Sequence, residues 1–167
     1  MTRVEDAVDP ILEQWARERP DLDCSPMGII GRITQAQREV HLAQRATFGR
    51  FGLDAPAFDV LAALRRAGEP YRASPGALVR ATGVTSGTMT NRVDRLVSRG
   101  LVRRDTDPDD RRSVRVELTA TGRATVDGAL VDLLEAEHEL LAGLDEPSRS
   151  SLADGLRRLL ASYAEPS

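Results

Sequence analysis

The segment GALVRATGVTSGTMTNRVDRLVSRGLV, residues 76–102, restricts the possible folds of this chain more than any other feature. A short apolar-periodic stretch ends near Gly83, a tight turn follows, and a second helix begins near Ser86. At about 100° per residue, Met89, Val93, Leu96 and Val97 fall on one side of that second helix, the side expected to pack inward. The opposite side carries Gly87, Asn91, Asp94, Arg95 and Ser98, flanked by Thr88 and Thr90. An exposed helix start built from small and hydrogen-bonding residues fits the major groove of DNA, where Asn and Arg supply bidentate contacts to base edges.

Immediately afterwards the texture changes. Leu101 and Val102, then Val114, Val116 and Leu118, read as two short strands separated by the Asp- and Pro-rich turn DTDPDDRR. No other strand signal is visible, so the expectation is a mainly α protein with a two-stranded ribbon. Helix punctuation divides the rest. Ser25 before Pro26, Asp54 before Pro56, Ser74 before Pro75, and Thr85, Thr119 and Asp145 read as helix caps. Seven helices follow, at about 5–19, 26–49, 55–67, 75–82, 86–99, 120–143 and 147–163. Helix, turn, helix and charged ribbon inside a frame of longer helices is the layout of a winged helix-turn-helix.

The charge distribution agrees. Net charge is −3 overall, yet residues 80–115 hold nine Arg against five Asp, leaving that window at +4 and the remainder at −7. A basic segment on an acidic body faces a polyanion in one orientation. Among the wing residues, Arg111 and Arg112 stand where a protruding hairpin meets the DNA backbone or minor groove. Other classes are disfavoured. His41 and His138 sit on separate helices with no nucleophile motif near them, no Gly-rich phosphate loop is present, and one cysteine with two distant histidines builds no zinc site. Neither enzyme activity, a metal nor a cofactor is expected. No run approaches the ~18 apolar residues of a membrane helix, so a cytoplasmic protein without membrane contact is expected.

Residues 85–122, TSGTMTNRVDRLVSRGLVRRDTDPDDRRSVRVELTATG, resemble the recognition helix and wing of the MarR family of bacterial transcription regulators, including an Asp-x-Arg at Asp110 and Arg112. The resemblance extends over about residues 26–163. It implies a single MarR-like domain over 1–167, with residues 1–53 and 120–167 as the helical dimerisation region and 54–119 as the winged DNA-binding lobe. It also implies a homodimer on a pseudo-palindromic double-stranded DNA operator, with Thr85, Ser86, Thr88, Thr90, Asn91, Arg95, Arg111 and Arg112 as the DNA-binding residues. Apolar stripes at both ends of the chain exceed what a small lobe covers, which independently points to a dimer.

The opening helix with its Trp resembles the subgroup of that family that responds to urate and related anionic metabolites. The matching positions are Trp15, Asp59, Arg92 and Arg104. On this reading an aromatic lid stacks the ligand while guanidinium forks hold its anionic edge. The arriving anion then repels Asp59 and breaks a pairing of Asp59 with Arg104. Urate and a tricarboxylate such as citrate or aconitate both suit such a site. Two alternatives stand beside it: a redox input through Cys24, which precedes a helix start where the dipole favours the thiolate, and a winged-helix protein-interaction module that has lost DNA contact.

Overall fold

The computed structural model describes residues 5–106 and 114–163. Two compact units divide the chain, Met1–Leu42 and Ala43–Ser167.

The first unit contains α1 (Asp9–Glu18) and most of α2 (Ser25–Arg50). α1 starts later than the periodicity predicts, because the Asp6 carboxylate accepts the Val8 N–H at 2.8 Å and holds the preceding turn outside the helix. Ser25 is not the cap expected of it. It lies inside α2, and the Asp23 carboxylate accepts its N–H at 2.9 Å. α1 rests on α2 where α2 has glycines: a Cβ on Gly28 would lie 3.3 Å from Leu12, and one on Gly31 3.3 Å from the buried Val8. Arg32 of α2 fastens the contact. Its Nε donates to Asp6 at 2.7 Å, its Nη2 to the buried Asp9 at 2.9 Å and its Nη1 to the Gly28 carbonyl at 2.9 Å.

In the second unit follow α3 (Ala55–Arg66), β1 (Arg72–Ala73), α4 (Pro75–Thr82), α5 (Ser86–Ser98), β2 (Val102–Thr106), β3 (Val114–Leu118), α6 (Ala120–Leu140) and α7 (Glu146–Ala161). Asp54, Ser74, Thr85, Thr119 and Asp145 each cap the helix that follows by accepting the N–H three residues on. α4 ends at Gly83 in the left-handed conformation, φ +67°, where its N–H reaches the Val79 carbonyl; the chain reverses there into α5. One core joins these elements. Val60, Leu61 and Leu64 of α3 pack with Leu78, Met89, Val93, Val116 and Val126, and Phe48 stacks on Phe58 with centroids 4.4 Å apart.

The sheet has three antiparallel strands in the order β1-β3-β2, one more than the ribbon read from sequence. β1 is only two residues long and pairs Arg72 with Glu117 and Ala73 with Val116, too short to leave a period-two signal. Just before it, Tyr71 (φ +59°) lies between the guanidinium groups of Arg65 and Arg123, at 4.8 and 4.7 Å from its ring centroid. Arg65 also bonds Asp127 of α6 at 2.7 Å, so α3 and α6 are tied by charge as well as by packing. Among the described residues no helix is long and apolar enough to cross a membrane.

Candidate nucleic-acid interface and anion site

α5 turns Met89, Val93 and Leu96 inward, each almost fully buried. Val97, expected to join them, is 38% exposed, because α5 lies on the core through a stripe narrower than the four-residue set. Thr85, Ser86, Thr88, Thr90 and Asn91 are all exposed along the start of the helix. Two of these hydroxyls are engaged in forming the helix itself. Thr85 Oγ1 accepts the Thr88 N–H as the cap, and Thr90 Oγ1 donates to the Ser86 carbonyl at 3.1 Å. Asn91 takes part in neither of these bonds. Arg95 is exposed too, with a long 3.4 Å contact to Asp54. Arg111 and Arg112 lie outside the described residues, as does most of the turn between β2 and β3.

Of the four residues matched to an anion site, two in the second unit feel one another's charge, with no hydrogen bond or ion pair joining them. Asp59 of α3 and Arg92 of α5 interact electrostatically, although their positions are far apart in sequence. Asp59 keeps solvent contact, yet the protein crowded around its carboxyl raises its pKa above the usual value, more than Arg92 and then Arg66 lower it. Arg92 also lines a groove with Asp54, Pro56, Arg95, Leu96 and Arg99, which Asp59 does not line. Arg99 carries no motif and was not anticipated from sequence; only its place one turn beyond Arg95 hints at it.

Arg104 does not join this pair, which corrects the expected pairing with Asp59. Its Nη1 donates to Asp94 at 2.5 Å and its Nη2 to the Thr90 carbonyl at 3.4 Å. The reason is geometric. Thr90 and Asp94 lie one turn apart on the flank of α5 that meets β2, and Arg92 is about 200° round the helix from each. Trp15 belongs to the first unit, on α1, where it is 42% exposed. Cys24 is a half-buried free thiol. Among the described residues, no cluster of three or more His, Cys, Asp or Glu gathers that is able to hold a metal ion.

Comparison with known proteins accounts for this arrangement. A sequence profile of the MarR family matches residues 51–113, from the last turn before α3 to the end of the wing turn. The transcriptional regulator PecS of Dickeya dadantii is 38% identical over 152 residues, covering 91% of this chain and 92% of that protein. Among solved structures, Bordetella bronchiseptica BpsR, whose DNA binding is regulated by 6-hydroxynicotinic acid, is 29% identical with a TM-score of 0.66, covering 77% of this chain and 90% of that one. A mutant of E. coli MarR complexed with operator DNA is 25% identical with a TM-score of 0.69, covering 87% and 97%. With its capped second helix of the helix-turn-helix, its three-stranded sheet and a match to PecS over 91% of its length, the chain belongs to the MarR family of winged helix-turn-helix transcriptional regulators.

Proposed function

We propose that this protein is a homodimeric repressor, released from a pseudo-palindromic operator by a small anionic metabolite. The observation that carries the reading is the construction of α5. Its apolar side is locked in the core, its exposed start offers Ser86, Thr88 and Asn91 to a major groove, and its flank carries Arg92, whose charge acts on Asp59. One helix thereby serves both a DNA surface and an anion-sensitive pair, which is what coupling of the two requires. Thr85, Thr90 and Arg95 complete the DNA face, and Arg111 and Arg112 reach the backbone from the wing. The anion binds Arg92 and displaces the Asp59 carboxylate, and Arg104 responds from the root of the wing. Urate and the citrate or aconitate class both carry the necessary charge. BpsR offers a precedent in 6-hydroxynicotinic acid, also a small anion.

A dimer is supported by apolar side chains left uncovered in each unit. Ile29 and Ile30 are 66% and 55% exposed on α2, and α7 buries none of its residues, with Leu160 at 68%. Residues 1–53 and 120–167 supply this dimerisation surface, and 54–119 the DNA-binding lobe. The test is fluorescence anisotropy on a duplex selected by the protein from random sequence, titrated with urate, citrate and cis-aconitate, together with sedimentation of the free protein. A monomer, or binding that none of the anions weakens, overturns the reading.

A further inference from the structure

The root of the wing is fastened to the recognition helix by contacts from Arg104 to α5. Gly100, in the left-handed conformation at φ +68°, turns the chain from α5 into β2. Strand alternation then puts Val102 into the core and Arg104 on the same strand face, toward α5. Arg103 and Asp105 take the opposite face, where Arg103 bonds Asp105 and the cross-strand Glu117, each at 2.9 Å. Arg104 accordingly meets α5 alone, reaching the Asp94 carboxylate at 2.5 Å and the Thr90 carbonyl at 3.4 Å.

We propose that Asp94 and Arg104 form a strut that sets the wing against the recognition helix, and that Asp94 is a positioning residue for DNA binding. A carboxylate on the exposed side of a helix that approaches phosphates is unfavourable by charge alone, since it repels the backbone that the neighbouring arginines attract. Its place is explained by its partner. With Nη1 on Asp94 and Nη2 on Thr90, the Arg104 guanidinium is committed along two directions and behaves as a brace between strand and helix rather than as a free phosphate ligand. Two reading elements held at a fixed angle contact DNA together without the ordering cost of bringing a loose wing into place.

The strut and plain electrostatics predict opposite signs. Asp94→Asn removes a negative charge from the DNA side, so charge alone makes binding tighter. The strut makes it weaker, by about three- to tenfold, the scale of an exposed ion pair lost once in each lobe of a dimer. The experiment is anisotropy of the full-length protein on the selected duplex, across a salt series, for Asp94→Asn, Asp94→Glu, Arg104→Gln and the double variant Asp94→Asn with Arg104→Gln. The expected result is weaker binding by both single neutral variants, partial recovery in Asp94→Glu, and a double variant no weaker than Arg104→Gln alone. The slope of log affinity against log salt stays that of the wild type, because no phosphate contact is lost. Unchanged or tighter binding by Asp94→Asn overturns the proposal. So do additive losses in the double variant, or a slope reduced by about one in Arg104→Gln. Melting curves of each variant confirm that the exposed substitutions leave the fold intact.

Discussion

Gly122→Ala isolates the joint between the DNA-reading lobe and α6. A Cβ at this position would lie 1.8 Å from the Leu101 carbonyl oxygen and 2.8 Å from its carbonyl carbon, where tolerated contacts begin near 3.0 Å. The obstacle is backbone, so no side chain can swing aside; α6 or the start of β2 has to move by more than 1 Å. That movement acts on a joint where the same Leu101 oxygen accepts the Thr119 N–H and hydroxyl, each at 3.1 Å, and where Thr119 Oγ1 caps α6 through the Gly122 N–H at 2.9 Å. Overpacking costs about 1–3 kcal/mol and disturbing the cap about 1 kcal/mol more. Alanine's better helix propensity returns about 1 kcal/mol, so the net loss is about 1–3 kcal/mol. For a protein of this size that lowers Tm by roughly 2–12 °C. Calorimetry of the variant beside Gly49→Ala, a helical position with nothing within 4 Å of the added methyl, separates the clash from propensity. The control keeps or raises Tm. If Gly122→Ala melts with the wild type, the close approach of Gly122 to Leu101 is not rigid and the reasoning fails.

Further expectations concern binding and the first unit. Arg92→Ala leaves a folded dimer that binds DNA with near wild-type affinity but no longer releases it on addition of the active anion; full release in this variant places the ligand elsewhere. Arg112→Ala weakens operator binding and lowers the magnitude of the salt slope by about one, and an unchanged slope removes that arginine from the phosphate contacts. In Arg32→Leu the clamp on Asp6 and Asp9 is lost. The emission of Trp15, the single tryptophan of the chain, then shifts to the red and becomes more accessible to acrylamide; identical spectra would show that Val8 and Leu12 suffice to hold α1. Acid has the same effect on the wild type. The hydrogen bond from Arg32, and then that from the Val8 N–H, lower the Asp6 pKa. Its contribution is therefore complete above the ordinary carboxylate value of about 4 and is lost as pH falls through the lowered value. Emission of Trp15 that is flat down to pH 2 contradicts this.

Much of the molecule was legible because its signals are local. A cap needs one side chain and an N–H three residues on, and Asp54, Ser74, Thr85, Thr119 and Asp145 were all identifiable from that spacing. The inward set of α5 follows from helical periodicity, and Met89, Val93 and Leu96 obey it. Ser25 misled because a competing acceptor, Asp23, stands two residues before it.

What the sequence by itself determined is therefore the order of helices, the helix-turn-helix with its ribbon, and the residue types on the exposed face of α5, since each rests on interactions within a few positions. Tertiary structure decided which charges meet. The resemblance paired Arg104 with Asp59, and only the packing of β2 along one flank of α5 directs it to Asp94 instead. The same holds for β1, which exists because β3 offers it an edge, and for Arg32, whose two carboxylates come from α1 and the turn before it, more than twenty residues earlier. Ion pairs and short edge strands are fixed by where whole elements come to rest, and that position is settled by the core.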